Sequence, residues 1–114
     1  MSSKKHTDTW KSKKEFKMAI DKWIDKIKVR PKEIHIRIMK KKWASYSQRG
    51  RITFNKELLK MKKEFGEYVI LHEMLHMKIP NHGKMYKRFM DIYMPSWEKI
   101  SLKNHDYKIS EGWQ

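Results

Sequence analysis

The sequence predicts an α+β domain: an N-terminal backing helix, a three-stranded sheet, a helix carrying a His-Glu-x-x-His motif, and further helices toward the C-terminus. The prediction rests on where the apolar residues fall. They recur at helical spacing between Lys13 and Lys28, they alternate from Ile34 to Ile38, and a mostly apolar run from Phe65 leads into His72-Glu73-Met74-Leu75-His76. At 114 residues the chain makes one small domain, 1–114, with 1–11 and 105–114 as candidate flexible tails.

In the first element Phe16, Ala19, Ile20, Trp23, Ile24 and Ile27 form one stripe, with lysines and acids opposite. That is an amphipathic helix packing on a sheet. Val29-Arg30-Pro31 should close it, because a residue before proline resists helical geometry. Ile34, Ile36 and Ile38 then alternate with His35 and Arg37, a half-buried strand whose His35 points away from the core. Trp43 to Ser47 and Arg51 to Asn55 are two further short strands, joined by Gln48-Arg49-Gly50 with glycine at the turn. After the motif, Tyr86, Phe89, Met90 and Tyr93 at helical spacing mark a helix from Gly83 to Met94, which Pro95 ends or restarts.

The motif carries the chemistry. Residues four apart on a helix share a face, so His72 and His76 can present their imidazoles to one ion while Glu73 lies beside it. A glutamate and two histidines in an apolar helix would be costly without partners, and a metal supplies one. A catalytic zinc takes three protein ligands and keeps one position open. The candidate third ligand is His82, six residues past His76. Reaching it requires a sharp turn, which Ile79-Pro80-Asn81 should make: Pro80 turns Ile79 away from the helical region, and Asn81 tolerates a left-handed conformation.

Several separated segments resemble one family: Lys42-Trp43-Ala44-Ser45-Tyr46-Ser47, Gly50-Arg51-Ile52-Thr53-Phe54-Asn55, the motif itself, and Pro80-Asn81-His82-Gly83-Lys84 with Phe89. Together, from about Lys40 to Trp97, they resemble the YgjP-like and SprT-like zinc metallohydrolases, and most of all the small archaeal minigluzincins. The resemblance implies a minimal zincin-like fold, one zinc held by His72, His76 and His82, and Glu73 as general base of peptide hydrolysis. Gluzincins proper draw the third ligand from a later helix, which makes Glu98 the alternative to His82. It also implies that Arg51, Ile52, Thr53, Phe54 and Asn55 are the substrate-binding edge strand. Minigluzincins are latent forms whose cleft is filled by their own segments or by neighbouring subunits. The aromatic-bearing tail from Ser101 to Gln114 is therefore a candidate plug, and self-association is a candidate property. Tyr86, Tyr93, His105 and Tyr107 are candidate partners for the reaction's oxyanion.

Composition bounds the rest. Cysteine is absent, which excludes disulfides and thiolate ligands and leaves imidazole and carboxylate for a metal. The start lacks an apolar signal region and no run reaches membrane-spanning length, so the expected address is the cytoplasm, with no membrane partner. Lys and Arg number 28 against 13 acids, a formal charge of +15 that favours acidic partners, nucleic acid among them. The alternative function class is thus a basic nucleic-acid-associated module acting on DNA-bound proteins, as the SprT-like resemblance implies.

Overall fold

The computed structural model describes residues 9–103. Within them lie α1 (Lys13–Ile27), β1 (Glu33–Arg37), β2 (Ala44–Tyr46), β3 (Arg51–Asn55), a short 3-10 helix (Lys56–Lys60), α2 (Lys63–Leu75), α3 (Lys84–Tyr93) and α4 (Trp97–Lys103). This is the expected α+β arrangement of backing helix, three-stranded sheet, motif helix and C-terminal helices. No helix among the described residues is long and apolar enough to cross a membrane.

Helix α1 begins at a capping arrangement: the Glu15 amide donates to Ser12 Oγ at 3.2 Å, and the Glu15 carboxylate reaches back to the Lys11 amide at 2.6 Å. It ends one step before the expected proline signal. Lys28 adopts a left-handed conformation (φ 64°), and the amides of Lys28 and Val29 both donate to the Ile24 carbonyl. That is a glycine's usual role, filled here by lysine. The buried stripe of Phe16, Ala19, Ile20, Trp23 and Ile27 is the predicted one.

The sheet order is β1-β3-β2. β3 pairs with β2 as the predicted antiparallel hairpin and with β1 in parallel, Glu33 opposite Arg51 and Arg37 opposite Asn55. Gly50 makes the hairpin turn at φ 98°, where a side chain is strained. Ile52 and Phe54 are fully buried, whereas Glu33, Arg37 and Arg51 face solvent and His35 accompanies Glu33 at 2.8 Å. Ile38 lies beyond β1 and is exposed, so the alternation ends with the strand at Arg37.

One face of the sheet carries the core. Phe16 of α1 meets Phe54 of β3 edge-on at 5.8 Å, and Trp43 before β2 meets Phe65 of α2 at 5.1 Å. Glu67 of α2 receives both Lys22 Nζ and Trp23 Nε1 of α1 at 2.9 Å. The chain is already anchored at Thr9, which bridges to Lys62, and Trp10 is buried against Phe16 at 5.0 Å. Residues 9–11, expected as part of a flexible tail, are therefore held in place, because the Trp10 indole fills the space over Gly66. Residues 1–8 and 104–114, with His105, Tyr107 and most of the candidate plug, lie outside the described residues, and the first part of the Ser101–Gln114 plug, Ser101 to Lys103, belongs to α4.

Candidate metal centre

Helix α2 is buried nearly all round: Val69, Ile70, Leu71, Met74 and Leu75 join the core, and His72 and Glu73 are the buried polar residues it contributes. The motif forms the C-terminal end of the helix, with His76 as the cap in a right-handed helical conformation. His76 follows its last residue, and the amides of His76, Met77 and Lys78 donate to the carbonyls of Glu73, Met74 and Leu75, three residues back. This tightened last turn leads into the reversal that follows. Among the described residues only Lys28 is a non-glycine residue at positive φ, so the turn uses no left-handed Asn81. The Ile79 amide still donates to the Leu75 carbonyl four residues back at 2.8 Å, so the chain leaves the helical path at Ile79-Pro80-Asn81, where the break is expected, and only the left-handed Asn81 is corrected.

The reversal returns His82 to the motif. His76 Nε2 and His82 Nε2 stand 2.8 Å apart, and His82 Nε2 and His72 Nε2 stand 3.3 Å apart. The ligand atoms of the three histidines all lie within 4.8 Å of one another. On a tetrahedral ion with metal–nitrogen bonds of about 2.0–2.1 Å, ligand nitrogens are about 3.3 Å apart, so the cluster fits a divalent metal. His76 Nδ1–H donates to the Ile79 carbonyl at 3.2 Å, which leaves Nε2 as the free lone pair. The same turn that brings His82 back thus also sets the tautomer of His76.

Electrostatics agree. Burial lowers the His82 pKa to about 4, with the neighbouring His76 and His72 adding to the effect. Burial, then His72, also lowers that of His76. Neutral imidazoles are the form a metal requires. Glu73 is 6% exposed and approaches His72 Nδ1 at 3.6 Å. It shares with His76 and His82 an open cleft whose other wall is Lys42, Ala44, Ser45 and Tyr46.

Tyr86 of α3 underlies the cluster. Its ring stacks on His76 at 4.8 Å and meets His82 and His72 edge-on, and its hydroxyl donates to the His72 carbonyl at 2.8 Å. Burial raises its pKa far above the ordinary phenol range. The hydroxyl is committed to the backbone, so Tyr86 is a support of the site and not the oxyanion donor considered from sequence. Tyr93 lies edge-on to Trp23 of α1 at 6.2 Å.

A profile of the YgjP-like metallopeptidase domain matches residues 3–105. The chain belongs to the YgjP-like family. The zymogen of the Methanocaldococcus jannaschii metallopeptidase jannalysin is a similar structure, with a TM-score of 0.70, 28% identity, and coverage of 77% of this chain and 91% of that one. A comparison with proteins of curated function gives no significant match. A YgjP-like chain is a peptidase of peptide or protein substrates, built on the minimal zincin-like fold.

Two expectations fail in this YgjP-like chain. Glu98, the alternative ligand, is exposed on α4 and stands outside the histidine cluster. Arg51–Asn55 is no open edge, because β3 is the central strand and both its sides are paired. Asn55 is wholly buried: it donates to the carbonyls of Met39 and Lys42 at 2.9 Å and accepts the Glu57 amide at 3.0 Å. The strand bordering the cleft is β2, and its residues Ala44, Ser45 and Tyr46 are the lining that sequence reading missed. The hairpin prediction contained both strands, but it gave no sign that β1 would cross over to cover β3.

Proposed function

We propose that the chain is a zinc-dependent endopeptidase in which His72, His76 and His82 hold the metal and Glu73 is the general base. The observation that carries this reading is the convergence of three Nε2 atoms beside a buried glutamate on an open cleft. An all-imidazole, thiolate-free donor set suits zinc. When bound, zinc polarises the scissile carbonyl and makes water acidic enough to be deprotonated near neutral pH.

Glu73 takes a proton from the attacking water as the carbon–oxygen bond forms, and gives it to the leaving amine as the carbon–nitrogen bond breaks. The turn at His76–Lys78 and the Tyr86 ring keep the imidazoles in place while this happens. The peptide lies along the outer edge of β2 as an added strand, since among the described residues β2 pairs only with β3. An edge open along its length suits cleavage within a chain. The jannalysin structure is that of a zymogen, which supports a latent resting form here as well.

The test is metal content and peptide hydrolysis of the purified chain. One zinc per chain is expected, lost in His72→Ala and His82→Ala and retained in Glu98→Ala. Glu73→Gln should keep the zinc and lower hydrolysis by about a hundredfold or more. A Glu73→Gln variant as active as the parent would sink the assignment of the base. Proteolytic trimming of the C-terminal tail should raise activity if the resting form is latent.

A further inference from the structure

Lys42 lines the same cleft as Glu73, His76 and His82. It is the last of three consecutive lysines, Lys40-Lys41-Lys42, in the connection between β1 and β2. Its backbone is fixed from beneath, because the buried Asn55 amide donates to the Lys42 carbonyl at 2.9 Å. Its side chain is exposed and forms no ion pair among the described residues. Lys22, Lys63 and Arg51, by contrast, are engaged by Glu67, Glu15 and Glu33. The carboxylate on the cleft wall, Glu73, is held back by burial. The cleft therefore combines a buried carboxylate with an exposed cation.

Ala44, where the β2 edge begins, is two residues from Lys42. A peptide extended along that edge brings its side chains within reach of the lysine's flexible stem. We propose that Lys42 is a specificity-determining residue that selects peptide substrates bearing Asp or Glu beside the scissile bond. This rests on the peptidase reading above. A partly exposed ion pair is worth about fivefold in affinity and is weakened by salt.

The test uses the full zinc-loaded chain and quenched peptides that differ only in Glu, Gln or Lys at each position within two residues of the cleaved bond. The expected kcat/KM is about fivefold higher for the best Glu peptide than for its Gln counterpart. That ratio should fall toward one in Lys42→Gln and in about 0.5 M salt. Lys26→Gln, the same charge loss on α1, should leave the ratio as it was. Equal cleavage of Glu and Gln peptides, or a preference that survives Lys42→Gln, would overturn the proposal.

Anisotropy of labelled Glu and Gln peptides on the Glu73→Gln chain separates this idea from the peptidase reading. If neither the zinc-loaded parent nor its tail-trimmed form cleaves any peptide but the Glu peptide binds in a Lys42-dependent way, the peptidase reading falls and the acidic preference stands. If the Glu peptide binds no better than the Gln peptide, the preference falls. A DNA duplex that binds more tightly than the Glu peptide, again through Lys42, overturns the assignment to peptides.

Discussion

The Tyr86 hydroxyl donates to the carbonyl of His72 at 2.8 Å while its ring stacks on His76, so one residue of α3 braces two residues of the motif. Tyr86→Phe keeps the ring and removes the hydrogen bond. We expect metal binding to weaken about tenfold, as for other groups that orient ligands, and stability to fall by about 1 kcal/mol. Competition with a chromophoric chelator measures the first and thermal melting the second. Unchanged metal affinity would reduce Tyr86 to ordinary packing.

The cluster should give the metal-free chain an acid-sensitive window. His82 is lowered to about 4, by burial first and then by His76 and His72, and His76 is lowered for the same leading reason. In the unfolded chain both imidazoles accept protons near pH 6.5. Below that pH the unfolded state binds protons that the folded state refuses, so stability is full above about 6.5 and is lost as the pH falls toward 4. Melting temperatures of the metal-free chain between pH 8 and 4 should show this decline, and His82→Asn should flatten it. A slope identical in the variant would place the loss elsewhere.

Gly66 offers a test of how the N-terminal segment is held. A Cβ at that position would stand 2.6 Å from Trp10 Nε1 and 2.8 Å from Trp10 Cζ2. In a helix interior alanine is normally favoured over glycine by about 1 kcal/mol. Here we expect Gly66→Ala to destabilise by about 1–3 kcal/mol, because the indole must shift out of its packed site. In a Trp10→Ala background the same change should become stabilising. Urea unfolding of the four chains of this double-mutant cycle decides the matter, and additivity would refute the contact.

The sequence revealed most where one residue type at one spacing has one physical reading. The stripe from Phe16 to Ile27 and the His72–His76 pair are periodic features: the stripe is buried, and the two imidazole rings stand 5.0 Å apart. The α1 terminus was less legible, because Lys28 takes a conformation usually marked by glycine. The turn after the motif was legible through Pro80, although Asn81 takes no left-handed conformation there. The substrate edge was misplaced for a different reason. Neighbouring strands announce a hairpin through their turn, but the parallel pairing of β1 with β3 is a long-range choice made by the core. Glu98 shows the same limit: its carboxylate met the chemical requirement, and only the placement of α4 removed it.

The burial of α2 on almost every side has a consequence for how this chain acquires its ion. Phe65, Val69, Ile70, Leu71, Met74 and Leu75 secure the helix through apolar packing that involves no ligand atom. The scaffold should therefore fold before an ion arrives, unlike small domains whose folding waits on their metal. A dialysed sample should keep its far-ultraviolet dichroism and its cooperative melt, and should regain full occupancy within one mixing step when metal is returned. For this molecule, metal supply would set how many already folded copies carry a complete site.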